Sequence, residues 1–273
     1  MAVNWTGVAF NQVPDSANEI HGDKIAKDLG FTGGLVPGVT VSAYLIHPAI
    51  EAWGLDWLER GSAHVKVDSP LYDNEKFEVE IVNSTDSTYE ARLIRPDGTI
   101  SATAEVGLPE VAEKASVRRG DEIANKETPI LPATPENMQK LKDEGCFGVR
   151  YRWDGEHAMS TYLTDAGAMP TILRIGGGGS AYANMSMILG CSNWILSRNA
   201  YMNPWLHLET RSQNYAPIAM GTEMLAEMEI TDLFNKKGHE FVDARVNLFD
   251  LRDDKCLCSI DLRAIYRLRG FTS

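Results

Sequence analysis

Helical spacing and alternation of apolar positions divide the chain into two blocks built on one plan. In the first block Val39, Val41, Tyr44, Leu45 and Ile50 recur at helical spacing after Gly38, which predicts a long helix that is apolar nearly all round. Pro48 removes a backbone donor inside that helix and predicts a kink or break near His47. In the second block Tyr182, Met185, Ile188, Leu189 and Ile195 recur in the same way. Each apolar stretch runs on to a Trp-Leu pair (Trp57-Leu58, Trp205-Leu206), then to a strand, a proline (Pro70, Pro217) and a further strand. Alternating segments around Pro96-Asp97-Gly98 and around Arg252 to Lys255 close as hairpins. The shared element order, at an offset of roughly 150 residues, marks a tandem duplication. The fold class is therefore α+β: two repeats, each with a long central helix wrapped by an antiparallel sheet. Residues 1–108 form the N-terminal repeat, 109–147 a linker rich in Glu, Lys, Pro and Ala, and 148–273 a degenerate C-terminal repeat. One short helix is expected in the linker, over Pro135 to Glu144.

The 273 residues are 44% hydrophobic, enough for a sizeable core. A net charge of −12 and a pI near 5.0 argue against nucleic acid or an anionic membrane surface as the main partner. An anionic ligand then needs a local basic patch. No basic segment followed by an apolar run opens the chain, and no uncharged apolar run reaches bilayer-spanning length, so a cytoplasmic protein is expected. The cysteines Cys146, Cys191, Cys256 and Cys258 are too scattered for a disulfide framework; Cys256 and Cys258 should face one side of a strand as small buried residues. No metal or cofactor is expected.

The candidate chemistry lies between Asp15 and Gly38, in DSANEIHGDKIAKDLGFTGGLVPG. Asp15 and His21 are a carboxylate and an imidazole close enough in sequence to share a water. Gly38, at the N-terminus of the long helix, offers a bare backbone N–H to a carbonyl oxygen that becomes negative during reaction. Ser16 and Asn18 are candidates to hold the water or the carbonyl, or else cap the following turn; Asp23 fits a helix-dipole role. Gly33-Gly34 shapes the lead-in loop. Asp154 and His157 form a second carboxylate/imidazole pair, and His47 reads as a core or interface histidine. Gly176 to Gly179 lacks the GK[ST] ending of a phosphate loop and is expected to give room for a ligand or for tight packing. Met185, Met187, Met220, Met224 and Met228 are core filler or the lining of a wide tunnel in the second repeat.

The duplicated helix-and-sheet plan resembles the double hotdog proteins, and the 15–38 stretch resembles the MaoC-type acyl-CoA hydratase/dehydratase group. The matching residues are Asp15, Asn18, His21, Asp23, Ala26, Phe31 and Gly38. The match covers the first repeat well and the second thinly. His21 follows Asp15 by six residues where the group has five, which would leave Ile20 at the histidine position; Pro37 replaces the histidine that usually precedes the glycine. The resemblance implies Asp15, His21 and Gly38 as catalytic residues, with Ser16, Asn18, Phe31 and Pro37 about the substrate.

The implied substrate is an acyl-CoA or acyl-carrier thioester, and the implied reaction is addition or removal of water at its α,β double bond. A hotdog thioesterase using Asp15 or Asp23, and a non-catalytic acyl-thioester-binding protein, are the alternatives. The duplication predicts a pseudo-dimeric monomer or a homodimer of such chains.

Overall fold

The structure is a computed structural model that describes residues 1–176 and 181–270. The first repeat holds β1 (Trp5–Val8), α1 (Asp23–Asp28), α2 (Gly38–Arg60), β2 (Ser62–Val67), β3 (Lys76–Ser84), β4 (Thr88–Ile94) and β5 (Ile100–Gly107). Between the repeats lie β6 (Leu131–Pro132) and α3 (Pro135–Glu144). The second repeat holds β7 (Val149–Arg152), α4 (Met185–Asn199), β8 (Ala200–Tyr201), β9 (Leu206–Asn214), β10 (Glu223–Lys236), β11 (His239–Asp250) and β12 (Cys256–Arg267). Ten strands make one sheet in the order β1-β3-β4-β5-β2-β9-β12-β11-β10-β7. Counted inward from either edge, the two halves run through equivalent strands in the same order. They meet where β2 pairs antiparallel with β9, Val65 opposite Thr210.

The strands show the period of two that a half-buried sheet requires. In β4, Tyr89, Ala91 and Leu93 are buried while Thr88, Glu90 and Arg92 are exposed. The inward face closes over α2 and α4, and every residue of α2 from Val39 to Ile50 is buried. A helix with sheet on its flanks and a second helix beside it has no side left for water, which explains its all-round apolar surface. The polar residues between the two helices are satisfied locally. Thr40 Oγ1 lies 3.0 Å from Ser186 Oγ, and the Gln12 amide donates to Ser186 Oγ at 3.2 Å and to the Thr161 carbonyl at 2.8 Å. No helix of the described residues is long and apolar enough to cross a membrane.

The break expected at Pro48 occurs elsewhere. Helix α2 continues through Pro48, and its non-helical residue is Gly54, at φ 54° and ψ −130°. Proline deprives the Tyr44 carbonyl, four residues back, of its helical donor, and the Trp5 indole N–H fills that vacancy at 3.1 Å. The neighbouring Leu45 carbonyl accepts the Tyr89 hydroxyl at 2.7 Å. Helix and sheet thus absorb the defect, and the chain turns instead where glycine permits a positive φ. Cys256 and Cys258 are buried free thiols, as is each of the other two cysteines.

The segment between the repeats contains the short helix expected over 135–144, capped by Thr134, whose hydroxyl accepts from the Asn137 N–H. The rest of it is strapped to the sheet. The carboxylate of Glu227, only 1% exposed, accepts backbone N–H groups of Arg119, Gly120 and Asp121 at 2.6, 2.8 and 3.1 Å. Glu227 alternates with Ala226 and Met228, so it projects from the face of β10 away from the helices. Replacing Glu227 by Ala strands three donors under the strap. Urea unfolding should report a loss of about 3 kcal/mol, and trypsin should cut faster after Arg118 and Arg119; unchanged stability and cleavage would contradict this role.

Candidate active site

The residues after β1 turn back toward the N-terminus of α2 and form a short 3₁₀ turn, Glu19–His21. Ile20 at its centre is buried with Ala26 and Leu35, and Phe31 packs against them. That small apolar cluster holds the turn, and the adjacent His21 faces a pocket of about 160 Å³. His21 Nδ1 is 2.7 Å from the Leu35 carbonyl oxygen, which can only accept, so Nδ1 carries the proton. Nε2 therefore keeps its lone pair, with the Asn18 amide nitrogen 3.5 Å away. Burial lowers the pKa of His21, with the Leu35 carbonyl pulling weakly the other way. The imidazole is a neutral base whose acceptor nitrogen meets only the long Asn18 amide contact.

Asn18 is held by the second repeat. Its Oδ1 accepts the Trp205 N–H and its Nδ2 donates to the Trp205 carbonyl, both at 3.1 Å, as a neighbouring strand would. Glu19 and Asn203 repeat the contact one step outward, at 3.0 and 2.8 Å. These bonds bring the start of β9 over the N-terminus of α2. Gly38 is the first residue of that helix, and a Cβ there would stand 2.7 Å from Cδ2 of His207. His207 Nδ1 lies 3.0 Å from Asn193 Oδ1, while its buried Nε2 has no hydrogen-bond partner. Burial first, and nearby His21 second, push the His207 pKa down to about 3. Two neutral imidazoles, one from each repeat, thus line one pocket with Gly38.

The N-terminus of α2 is open. The N–H groups of Thr40 and Val41 bond the Pro37 carbonyl at 2.8 and 3.1 Å. Pro37 has no side chain able to cap, and among the described residues nothing accepts from the Gly38 N–H. In α4 the corresponding end is closed: Asn184 accepts from the Met187 N–H at 3.2 Å and donates to the Met159 carbonyl at 2.9 Å. Of the two central helices, α4 begins with a side-chain cap and α2 does not.

Of the residues singled out in the sequence, the structure brings His21, Gly38, Asn18 and Phe31 to the pocket. Asp15 is exposed and away from it, and no hydrogen bond among the described residues joins Asp15 to His21. The expected carboxylate/imidazole pair is replaced by imidazole and backbone carbonyl. Ser16 donates to the Asn18 carbonyl at 3.1 Å and shapes the turn, and Pro37 is buried as the N-cap of α2; neither lines the pocket. Asp23 accepts from the Gly34 N–H at 2.9 Å and pairs with Lys27 at 2.8 Å, so it is spent on loop structure. His157 Nδ1 accepts from the Met159 N–H, and Asp154 from the Glu156 N–H. The second carboxylate/imidazole pair is thus two local caps. His47, bonded to Tyr162 at 2.9 Å and stacked on Trp5, is a core residue. Met185, Met187, Met224 and Met228 are buried in the common core and do not line the pocket. Gly177 to Gly179 lie outside the described residues. His207 and Asn193 escaped the sequence reading because their significance rests on contacts with the distant N-terminal segment. Among the described residues no group of three or more His, Cys, Asp or Glu could hold a metal.

This architecture, two helix-and-sheet repeats sharing one sheet with a histidine pocket at one helix N-terminus, is that of a double hotdog protein. No protein-family model and no curated protein matches the chain. Among solved structures it is similar to a conserved hypothetical protein from Mycobacterium tuberculosis with a double hotdog fold (TM-score 0.56, 13% identity, covering 97% of this chain and 96% of that one). It is likewise similar to a MaoC-like dehydratase (TM-score 0.57, 13% identity, 98% of each chain). A tesB protein from Mycobacterium avium subs. paratuberculosis also matches (TM-score 0.51, 11% identity, 97% and 93%). The structural neighbours are double hotdog proteins and include MaoC-like dehydratases.

The depressed pKa of His207 makes stability depend on pH. The unfolded imidazole titrates near 6.5 and the folded one at about 3, so between those values the unfolded chain binds a proton that the native chain does not. Stability is full above about pH 6.5 and falls as the pH drops toward 3. In chemical unfolding between pH 4 and 6, His207→Asn should lower the slope of stability against pH by roughly 1.4 kcal/mol per pH unit. Equal slopes in the two proteins would refute the buried neutral imidazole.

Proposed function

We propose that the chain is an acyl-thioester hydratase/dehydratase that adds water across, or removes it from, the α,β double bond. The observation that carries this reading is His21: a neutral imidazole oriented by the Leu35 carbonyl, its basic nitrogen 3.5 Å from the Asn18 amide and in the same pocket as Gly38 at the open end of α2. In hydration the thioester oxygen accepts the Gly38 N–H. A water bound to His21 Nε2 gives up its proton as its oxygen attacks Cβ, and negative charge moves through Cα to the thioester oxygen. The imidazolium returns that proton to Cα. The charge is met by a donor and by the positive end of α2, which is helical from Gly38 up to the break at Gly54. His207 Nε2, a buried acceptor without a partner in the wall of the same pocket, is our candidate to take the second hydrogen of that water. The likeness to a MaoC-like dehydratase supports the assignment.

The thioesterase alternative rested on Asp15 or Asp23, and neither lines the pocket. The compact pocket, with Phe31, Leu35, Val41 and Leu71 among its walls, suits a short acyl group.

Crotonyl-CoA and butyryl-CoA separate the readings. Hydration should consume the enoyl absorbance of the first and release no thiol from the second. His21→Ala should lower hydration about 10²-fold or more, whereas Asp15→Ala should leave it unchanged. Thiol release from butyryl-CoA, or full activity in His21→Ala, would overturn the proposal.

A further inference from the structure

Val67, Asp68 and Leu208 belong to the wall of the histidine pocket and also to that of a second recess of about 400 Å³ beside it. The recess lies between the end of β2 and the β10–β11 hairpin. Lys66, Lys236, Lys237 and Arg263 line it together with Asp68 and Glu209. Glu209 is engaged by His64 at 2.6 Å and Arg263 at 3.7 Å, and Arg263 is gripped by Asp243 at 2.6 Å. Among the described residues no ion pair engages Lys66, Lys236 or Lys237. Three free ammonium groups therefore converge on one hollow of a chain whose net charge is −12.

The hairpin tip adds an independent observation. Lys237 has φ 55° and Gly238 φ 83°, a two-residue turn whose first position suits Asn or Gly far better than a long side chain. A lysine kept at conformational cost, and lining the recess, points to a role for its charge. Phe234 and Phe241, stacked at 4.8 Å and 13°, supply an apolar wall.

We propose that this recess binds the phosphate-bearing nucleotide end of coenzyme A, with its phosphates on Lys66, Lys236 and Lys237 and its base against the Phe234–Phe241 wall, while the acyl end reaches the histidine pocket next door. This deepens the thioester reading and rests on it. The other carrier that basic residues could recruit is an acidic carrier protein. A compact anion that enters a hollow feels chiefly the lysines within a screening length of ~8 Å. A whole acidic protein would face much of the net negative surface.

The test uses Lys236→Glu/Lys237→Glu, with Lys126→Glu/Lys140→Glu as a control of equal charge change at exposed sites elsewhere. Calorimetry with 3′-phosphoadenosine 5′-diphosphate should show binding to the native chain, weakened about tenfold or more in the hairpin variant and unchanged in the control. KM for crotonyl-CoA should rise in the hairpin variant, with kcat kept, while KM for the crotonyl thioester of N-acetylcysteamine stays the same. No nucleotide binding by the native chain, or equal weakening in both variants, would overturn the proposal. So would a rise in KM for a crotonyl carrier protein with none for crotonyl-CoA. Lysine-dependent nucleotide binding without turnover of any thioester would sustain the anchor and remove the hydratase reading; turnover without nucleotide binding would do the reverse.

Discussion

The pairing of β2 with β9, from Ser62 opposite Gln213 to Lys66 opposite Glu209, decides what the rest of the molecule can do. It fuses two five-stranded halves into one sheet and lays β9, which begins at Leu206, beside the start of α2. Without that pairing His207 has no reason to lie on Gly38, and the turn carrying His21 loses the Trp205 backbone to which Asn18 is hydrogen-bonded. Each repeat holds half of a pocket. A glycine at position 38 follows from the same constraint, because a side chain there would collide with the imidazole the second repeat delivers.

Duplication would allow two such pockets, yet capping distinguishes the two helix ends. Asn184 satisfies the start of α4 through its own side chain and fixes the Met159–Ser160 backbone across it. Pro37, the N-cap of α2, has a ring that accepts nothing from the helix. An uncapped N-terminus leaves donors for water or a ligand to satisfy, and the proposed reaction uses the one at Gly38.

Most of the fold was legible in the chain because it is written in local periodicity: the apolar run of α2, the alternation in β4, the Thr134-Pro135 start of α3. The misplaced break at Pro48 shows the limit of such signals. Its cost depends on whether the Tyr44 carbonyl finds another donor, and that donor, Trp5, belongs to a strand 39 residues earlier. The site was legible in part for the same reason. Gly38 and His21 stand in a recognisable stretch, but that His21 reaches the pocket beside Ile20 depends on the apolar cluster of Ile20 with Ala26 and Leu35. Asp15 fits a spacing pattern while its own turn carries it into solvent, and His207 carries no local mark at all.

The substitution of a backbone carbonyl for a carboxylate behind His21 alters the electrostatics of the site. A carboxylate against the imidazole would raise its basicity, but in the proposed reaction it would also place a full negative charge near the thioester oxygen where charge accumulates. The Leu35 carbonyl fixes the same tautomer with a dipole alone. Burial then keeps both imidazoles neutral, so neither repels or traps a proton before the substrate arrives. The positive potential comes from the end of α2, a fixed arrangement that needs no counter-ion and no reorganisation as charge develops. Basicity is given up, and a field that favours the oxyanion is kept intact.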